Sequence, residues 1–268
     1  MRCEILTDPD TFPRGKRMLE AMVTAAPIPV QVRQQYAGDC EILMLYGSGH
    51  PVRRPWMRKH LANGGRVVAW DLGYWHRRID NTFHMRCTLD ADHPQAFIRP
   101  EPVQRWHDQA IELGNLFKPE GHVLIVGMGP KSNRAHGFRP LEWEYRAAKT
   151  ARAAYPSRRV IFKPKRPTDP VLPGFVADRN PIEKALRGAS LVVCRHSNVA
   201  VDACIAGVPV YCEDGAAAAL YGAGSLAKPI QPTPEQRLSF LQSLAWWNWR
   251  PDEAGKAWAY LLERIQHG

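Results

Sequence analysis

The sequence lacks several features that would settle its class. It has no apolar run of the roughly 20 residues that a membrane-spanning helix needs. Its first residues, Met1–Ile5, lack the apolar core of a signal peptide, so we expect a cytoplasmic protein that makes no membrane contact. The six cysteines form no Cys-x-x-Cys pair, and no two histidines have His-Glu-x-x-His spacing. We therefore expect structural thiols and no metal site.

Negative charge is scarce relative to positive charge. The chain has 36 Lys and Arg against 26 Asp and Glu, for a net charge of +10 and an isoelectric point near 9.5. Such a balance indicates a polyanionic partner. A nucleotide does not need ten extra positive charges, whereas a nucleic acid explains them, because phosphate neutralisation supplies most non-specific affinity.

Short apolar runs alternate with helix-length amphipathic segments, which predicts an α/β protein with parallel sheets. Cys40–Tyr46 and Arg66–Trp70 are the clearest strands of the first half, and a strand at His122–Val126 opens the second half. The length of 268 residues suits two lobes. We predict lobes at 1–118 and 119–245, followed by a terminal helix within 246–268.

The most informative stretch runs from Ala189 to Tyr221. Leu191–Cys194 predicts a buried strand, and Val208–Cys212 predicts the next one. Ligands bind open α/β sheets at the carboxyl ends of the strands. The first strand is followed by cationic and hydrogen-bonding groups that suit a phosphate, and the second by carboxylates that suit sugar hydroxyls. These residues are Arg195, His196, Ser197, Asn198, Glu213 and Asp214.

Two further loops of the second half have the same character. Gly127 and Gly129 follow the strand at His122–Val126 and allow a phosphate to approach the main chain. The segment is neither a Walker A loop nor a complete Gly-x-Gly-x-x-Gly motif. A third predicted strand ends in a cationic loop stiffened by prolines, which suits a diphosphate. Its cations are Lys163, Lys165 and Arg166.

The stretch from Ala189 to Tyr221 resembles the donor-binding domain of GT-B glycosyltransferases. The resemblance is carried by His196-Ser197-Asn198, Asp202-Ala203, Ala206-Gly207-Val208-Pro209-Val210 and Glu213-Asp214-Gly215. It covers about a quarter of the chain. The string as a whole is most similar to small phage-encoded glycosyltransferases associated with DNA hypermodification.

The resemblance implies two Rossmann-like lobes with a cleft between them and a C-terminal helix that crosses back. It implies a nucleotide-sugar as co-substrate, with UDP-glucose as the expected donor and no tightly bound cofactor. The donor would lie against the second lobe. Asp71 is the predicted base that deprotonates the acceptor hydroxyl, with a turn-capping role as its alternative. The predicted acceptor-binding residues are Ser48, His50, Tyr74, Trp75, Arg77 and Arg78.

The expected function is transfer of a hexose to a hydroxymethyl pyrimidine in double-stranded DNA. Two alternatives remain open at this stage. One is a glycosyltransferase that acts on surface polysaccharide, and the other is a non-catalytic DNA-binding protein on a Rossmann scaffold. Positive residues that line the interlobe cleft, rather than scattered ones, distinguish the DNA acceptor from the polysaccharide acceptor. Salt-sensitive DNA binding without nucleotide-sugar binding favours the last alternative.

Overall fold

A computed structural model describes residues 1–77 and 83–267 of the chain. The chain divides into two compact units. Unit 1 comprises residues 1–97 and 244–268, and unit 2 comprises residues 98–243. The predicted boundary at 118 therefore falls inside unit 2, about twenty residues beyond the observed one. The segment 246–268, which contains the predicted crossing helix, belongs to unit 1.

The described residues form strands and helices that alternate along most of the chain. The strands are β1 (Cys3–Leu6), β2 (Val30–Arg33), β3 (Ile42–Tyr46), β4 (Arg66–Leu72), β5 (Met85–Leu89), β6 (His122–Val126), β7 (Val160–Lys163), β8 (Val176–Ala177), β9 (Ala189–Cys194), β10 (Val210–Cys212) and β11 (Asn248–Trp249). The helices are α1 (Pro13–Thr24), α2 (Arg53–Ala62), α3 (Gln104–His107), α4 (Pro130–His136), α5 (Glu142–Ala154), α6 (Ile182–Ala185), α7 (Val199–Ala206), α8 (Ala218–Tyr221), α9 (Pro234–Ala245) and α10 (Ala254–His267).

Unit 1 is built on a mixed sheet with the strand order β11-β5-β4-β3-β1-β2. The strands β1 to β4 pair in parallel. Every residue of β1 and β3 and the centre of β4 are buried, whereas the edge strand β2 is partly exposed. β5 pairs antiparallel with β4, and β11 pairs antiparallel with β5. The last helix, α10, packs on α1, where the Trp258 indole N–H donates to the Met22 carbonyl at 2.8 Å.

Unit 2 is built on a wholly parallel sheet with the order β10-β9-β6-β7-β8. The chain starts at β6 in the middle, builds outward through β7 and β8, and then returns to place β9 on the other side of β6. The strand order therefore reverses between β6 and β9. Helix α5 covers part of the sheet, and it buries Trp143, Ala147 and Ala151 at helical spacing. The predicted α/β class, with two sheets rich in parallel pairs, is confirmed.

The end of β4 differs from the sequence expectation. The prediction placed Asp71 in a loop after a strand that ended at Trp70, but β4 continues to Leu72. Asp71 stands opposite Arg86 in the antiparallel pair of β4 and β5, and the Arg86 guanidinium faces the Asp71 carboxylate at 3.4 Å. Asp is disfavoured in strands, and the opposite charge of Arg86 across the pair offsets this cost at Asp71.

Candidate functional site

Four loops of unit 2 follow neighbouring parallel strands and therefore lie along one edge of its sheet. We call them the strand-end loops: 127–129 after β6, 163–166 beginning at the last residue of β7, 195–198 after β9 and 213–215 after β10. They flank the place where the strand order reverses, which is where open α/β sheets bind ligands. All eleven residues predicted to bind the donor belong to these loops.

His196 links two of the loops. Its Nε2 lies 3.1 Å from the Ser132 hydroxyl of α4, and its ring lies 4.9 Å from that of His136. Burial and the neighbouring His136 lower the pKa of His196 to about 4, although Asp214 opposes the shift. The ring is therefore neutral at neutral pH. Gly215, with φ of +94°, packs against the His196 main chain, where an added Cβ would approach to 3.0 Å.

Arg195 faces both carboxylates of the loop after β10. Its Nε lies 3.4 Å from a Glu213 oxygen and its Nη1 lies 3.9 Å from an Asp214 oxygen. The other Glu213 oxygen accepts a hydrogen bond from the Trp143 indole at 2.7 Å. The guanidinium carbon of Arg195 lies 5.9 Å from the centre of the Phe138 ring. Arg195, Glu213 and Asp214 therefore form one cluster. Only 18% of the Arg195 side chain is exposed.

The three cations after β7 have different surroundings. Lys163 donates to the Asn180 carbonyl, and partial burial lowers the pKa of its ammonium group. The Lys165 side chain lies over Gly129, so close that a Cβ added at Gly129 would lie 3.2 Å from the Lys165 Nζ. Arg166 is exposed. Lys165 is the one of the three whose charge also helps to lower the pKa of His196.

The loop after β6 is held by a residue that the sequence analysis missed. Glu144, on the buried face of α5, accepts a hydrogen bond from the Met128 N–H at 2.7 Å, and its side chain is fully buried. Burial raises the pKa of the Glu144 carboxyl above its ordinary value. A charged residue between Trp143 and Ala147, on the apolar face of a helix, was the available signal.

The loop after β9 runs into α7. The Ser197 hydroxyl accepts a hydrogen bond from the Val199 N–H at 3.2 Å, whereas Asn198 already has helical backbone angles. Ser197 therefore contacts the first turn of α7 through its side chain, and Asn198 continues the helix through its main chain. Both remain partly exposed beside Arg195 and His196.

The residues predicted for catalysis and acceptor binding belong to unit 1. One third of the Asp71 side chain is exposed; besides facing Arg86, it accepts from the Leu72 N–H at 2.7 Å. Tyr74 and Trp75 are buried. The Tyr74 ring lies 5.7 Å from the Arg86 guanidinium. Stacking on an acceptor needs an exposed ring face, so burial argues against the role predicted for both aromatics and places them in the core.

The other predicted acceptor residues are spread over unit 1. Ser48 is buried in the loop after β3, and His50 lies 4.0 Å from Asp10. The Arg77 carbonyl accepts a hydrogen bond from Arg14 at 2.9 Å. Arg78 lies outside the described residues.

The chain contains two Asp-x-Asp segments, Asp8–Asp10 and Asp90–Asp92, whose carboxylates are of the kind that could bind a divalent metal ion. Three of the four carboxylates face arginines, since Asp8 pairs with Arg53, Asp90 with Arg66 and Asp92 with Arg54; the fourth, Asp10, lies near His50. Across residues 1–77 and 83–267, no group of three His, Cys, Asp or Glu is arranged to hold a metal ion. The same ranges contain no helix of the length and apolarity required to cross a bilayer.

No protein-family model matches the chain, and no curated protein matches its sequence. Among solved structures, KpsC of Thermosulfurimonas dismutans is similar in two forms. Its beta Kdo 2,4 transferase has a TM-score of 0.57 and 12% identity, over 92% of this chain and 91% of that one. Its beta Kdo 2,7 transferase has a TM-score of 0.54 and 14% identity, over 97% and 99%. The chain has the fold of these Kdo transferases. At such identity the likeness concerns the fold alone.

Proposed function

We propose that the chain is a glycosyltransferase of GT-B type, which binds a nucleotide-sugar on the strand-end loops of unit 2 and transfers the sugar to a hydroxyl acceptor. The observation that carries the proposal is the cluster of Arg195, His196, Lys165 and the two acids at the point where the strand order reverses. The fold shared with two Kdo transferases, over more than nine tenths of the chain, supports it.

The donor we propose is a nucleoside diphosphate sugar, and UDP-glucose is the compound to test first. Lys165 and Arg195 would neutralise the diphosphate that leaves. His196 is neutral and hydrogen-bonded to Ser132, so it contributes a fixed polar group rather than a charge. The Glu213 and Asp214 oxygens would accept hydrogen bonds from sugar hydroxyls, alongside their contacts with Arg195.

The transfer forms a bond between the acceptor oxygen and the anomeric carbon, and it breaks the bond from that carbon to the phosphate oxygen. The acceptor proton has to leave during this step. Asp71 remains our proposed base, because its carboxylate is partly exposed although it faces Arg86. Replacing Asp71 by Asn should abolish transfer and leave donor binding intact.

For the acceptor we propose DNA, which the net charge of +10 favours, and within it a hydroxymethyl pyrimidine, which the resemblance to phage-encoded glycosyltransferases implies. Such an enzyme has to take the base out of the stack. The fold shared with Kdo transferases favours a saccharide acceptor as the second candidate. If the chain is instead a non-catalytic DNA-binding protein, it should bind DNA and should not bind a nucleotide-sugar.

Calorimetric titration with UDP and UDP-glucose tests the donor site. Because a hydrogen bond to a charged group contributes about 1.5–3 kcal/mol, Arg195→Ala should weaken UDP binding by about 10- to 150-fold. Arg159→Ala is the matched control, since Arg159 is an exposed cation that precedes β7, at the opposite end of the same sheet. Equal affinity of both variants, or no binding by the unmodified protein, would contradict the proposed site.

A further inference from the structure

The positive charge of the chain is concentrated in unit 2. Residues 98–243 contain 20 Lys and Arg against 13 Asp and Glu, a net charge of +7 out of the +10 of the whole chain. The strand-end loops account for only part of this excess, because Arg195 is offset by Glu213 and Asp214. The remaining cations need another explanation.

Several of these cations lie with aromatic rings along the exposed side of α5. We call the group the α5 ribbon. Arg146 lies 5.2 Å from the Phe138 ring centre, Lys149 lies 4.8 Å from that of Tyr145, and Arg152 lies 3.8 Å from that of Phe175. The Tyr145 and Phe175 rings meet edge to face at 6.5 Å. The ribbon consists of Phe138, Tyr145, Arg146, Lys149, Arg152 and Phe175.

The ribbon cations are exposed and keep their charge available. Within the described residues, no carboxylate forms an ion pair with Arg146, Lys149 or Arg152. In unit 1, by contrast, Arg53 and Arg66 each form an ion pair, with a nitrogen 2.5 Å from an Asp carboxylate oxygen. Contact with a ring fixes a guanidinium without neutralising it. The ribbon is therefore a row of positioned, uncompensated charges.

The ribbon also adjoins the strand-end loops. The Phe138 ring lies close to Arg146 on the ribbon and to Arg195 of the loop after β9. The three helix cations occupy positions i, i+3 and i+6, and at about 1.5 Å per residue they extend about 9 Å along the helix. Tyr145 is 41% exposed and adds an aromatic surface among them.

We propose that the α5 ribbon binds the sugar-phosphate backbone of a nucleic acid. Closely spaced phosphates match a row of unpaired cations, and interleaved aromatics are typical of nucleic-acid surfaces. Contacts of this kind hold the polymer without reading its sequence. The inference rests on the proposed function, which has DNA as the acceptor, and adds the surface of unit 2 that holds the polymer.

Fluorescence anisotropy with a labelled 20-base-pair DNA duplex, without nucleotide-sugar, tests the ribbon. The binding constant is measured from 50 to 200 mM salt for the full chain and for the triple variant R146A/K149A/R152A. Loss of three phosphate contacts should lower the slope of log K against log salt by about 2.7, at about 0.9 per contact. The matched control K16A/R58A/K256A removes three exposed helix cations of unit 1 and the same net charge, and should keep the slope.

Equal loss of slope in the triple variant and the control would overturn the proposal, because net charge alone would then explain the binding. Polygalacturonate serves as the competing polyanion. If it binds through the ribbon while DNA does not, the surface is a polysaccharide site and the proposal fails. UDP titration of the same triple variant keeps this test separate from the proposed function, since the donor site lacks these three residues. Unchanged UDP affinity with lost DNA binding is the expected result.

Discussion

Glu144 gives a prediction that follows directly from its burial. Its carboxyl group is fully buried and accepts the Met128 N–H at 2.7 Å. Burial raises the pKa of Glu144, so the native state holds this proton more tightly than the unfolded chain does. The native state therefore loses stability as the pH rises through the ordinary value of about 4.5 toward the raised one. Glu144→Gln keeps an acceptor oxygen and removes the titration, so its stability relative to the unmodified protein should increase with pH.

A second substitution separates the charge from the hydrogen bond. Glu144→Leu removes the acceptor and leaves the Met128 N–H without it, which costs about 1–3 kcal/mol. Its Tm should therefore lie about 2–12 °C below that of Glu144→Gln. Urea denaturation from pH 4 to pH 8 measures the pH dependence, and thermal unfolding measures the difference in Tm. The reasoning is refuted if Glu144→Gln has the same pH profile as the unmodified protein, or if Glu144→Leu is as stable as Glu144→Gln.

Three further predictions concern stability and the donor site. The pKa of His196 is lowered from 6.5 to about 4 in the native state, so as the pH falls below 6.5 the unfolded chain binds a proton on this ring before the native state does. This protonation destabilises the native protein, and His196→Asn removes it. Between pH 7 and pH 5, His196→Asn should therefore lose less stability in urea denaturation than the unmodified protein. In Gly129→Ala the new Cβ meets Lys165 Cδ at 3.0 Å, and we expect UDP binding weaker by about 0.5–1.5 kcal/mol in calorimetry with an unchanged Tm. Trp258→Phe removes the hydrogen bond to the Met22 carbonyl from a fully buried side chain, so unfolding should become easier by about 1–3 kcal/mol; an unchanged denaturation midpoint would contradict the packing of α10 on α1.

The parallel strands were predictable because their apolar runs are local. Leu191–Cys194 and Cys40–Tyr46 are visible in the sequence and form the cores of β9 and β3. The antiparallel partners of unit 1 were not predictable. β11 comes from a segment about 160 residues after β5, and alternation of side chains indicates a strand without indicating its neighbour.

Site prediction had the same limit. Strand-end position alone brought Arg195, His196 and Asp214 together, because parallel strands end at one edge of the sheet. Position could not show that Tyr74 is buried or that Glu144 holds the loop after β6. Both depend on which side chains pack across the sheet. The position of Glu144 on the apolar face of α5 marks it as unusual, but it does not show which loop the carboxylate contacts.

The central claim is that the chain consumes a nucleotide-sugar. The most direct measurement incubates the protein with UDP-glucose and DNA containing hydroxymethyl pyrimidines and follows release of UDP and gain of mass by the DNA. We predict both signals with the unmodified protein and with Arg159→Ala, and both signals weaker by about tenfold or more with Arg195→Ala at a UDP-glucose concentration below saturation. If neither UDP-glucose nor any other nucleotide-sugar is bound or consumed while DNA still binds, the chain is a binding protein and the account is wrong.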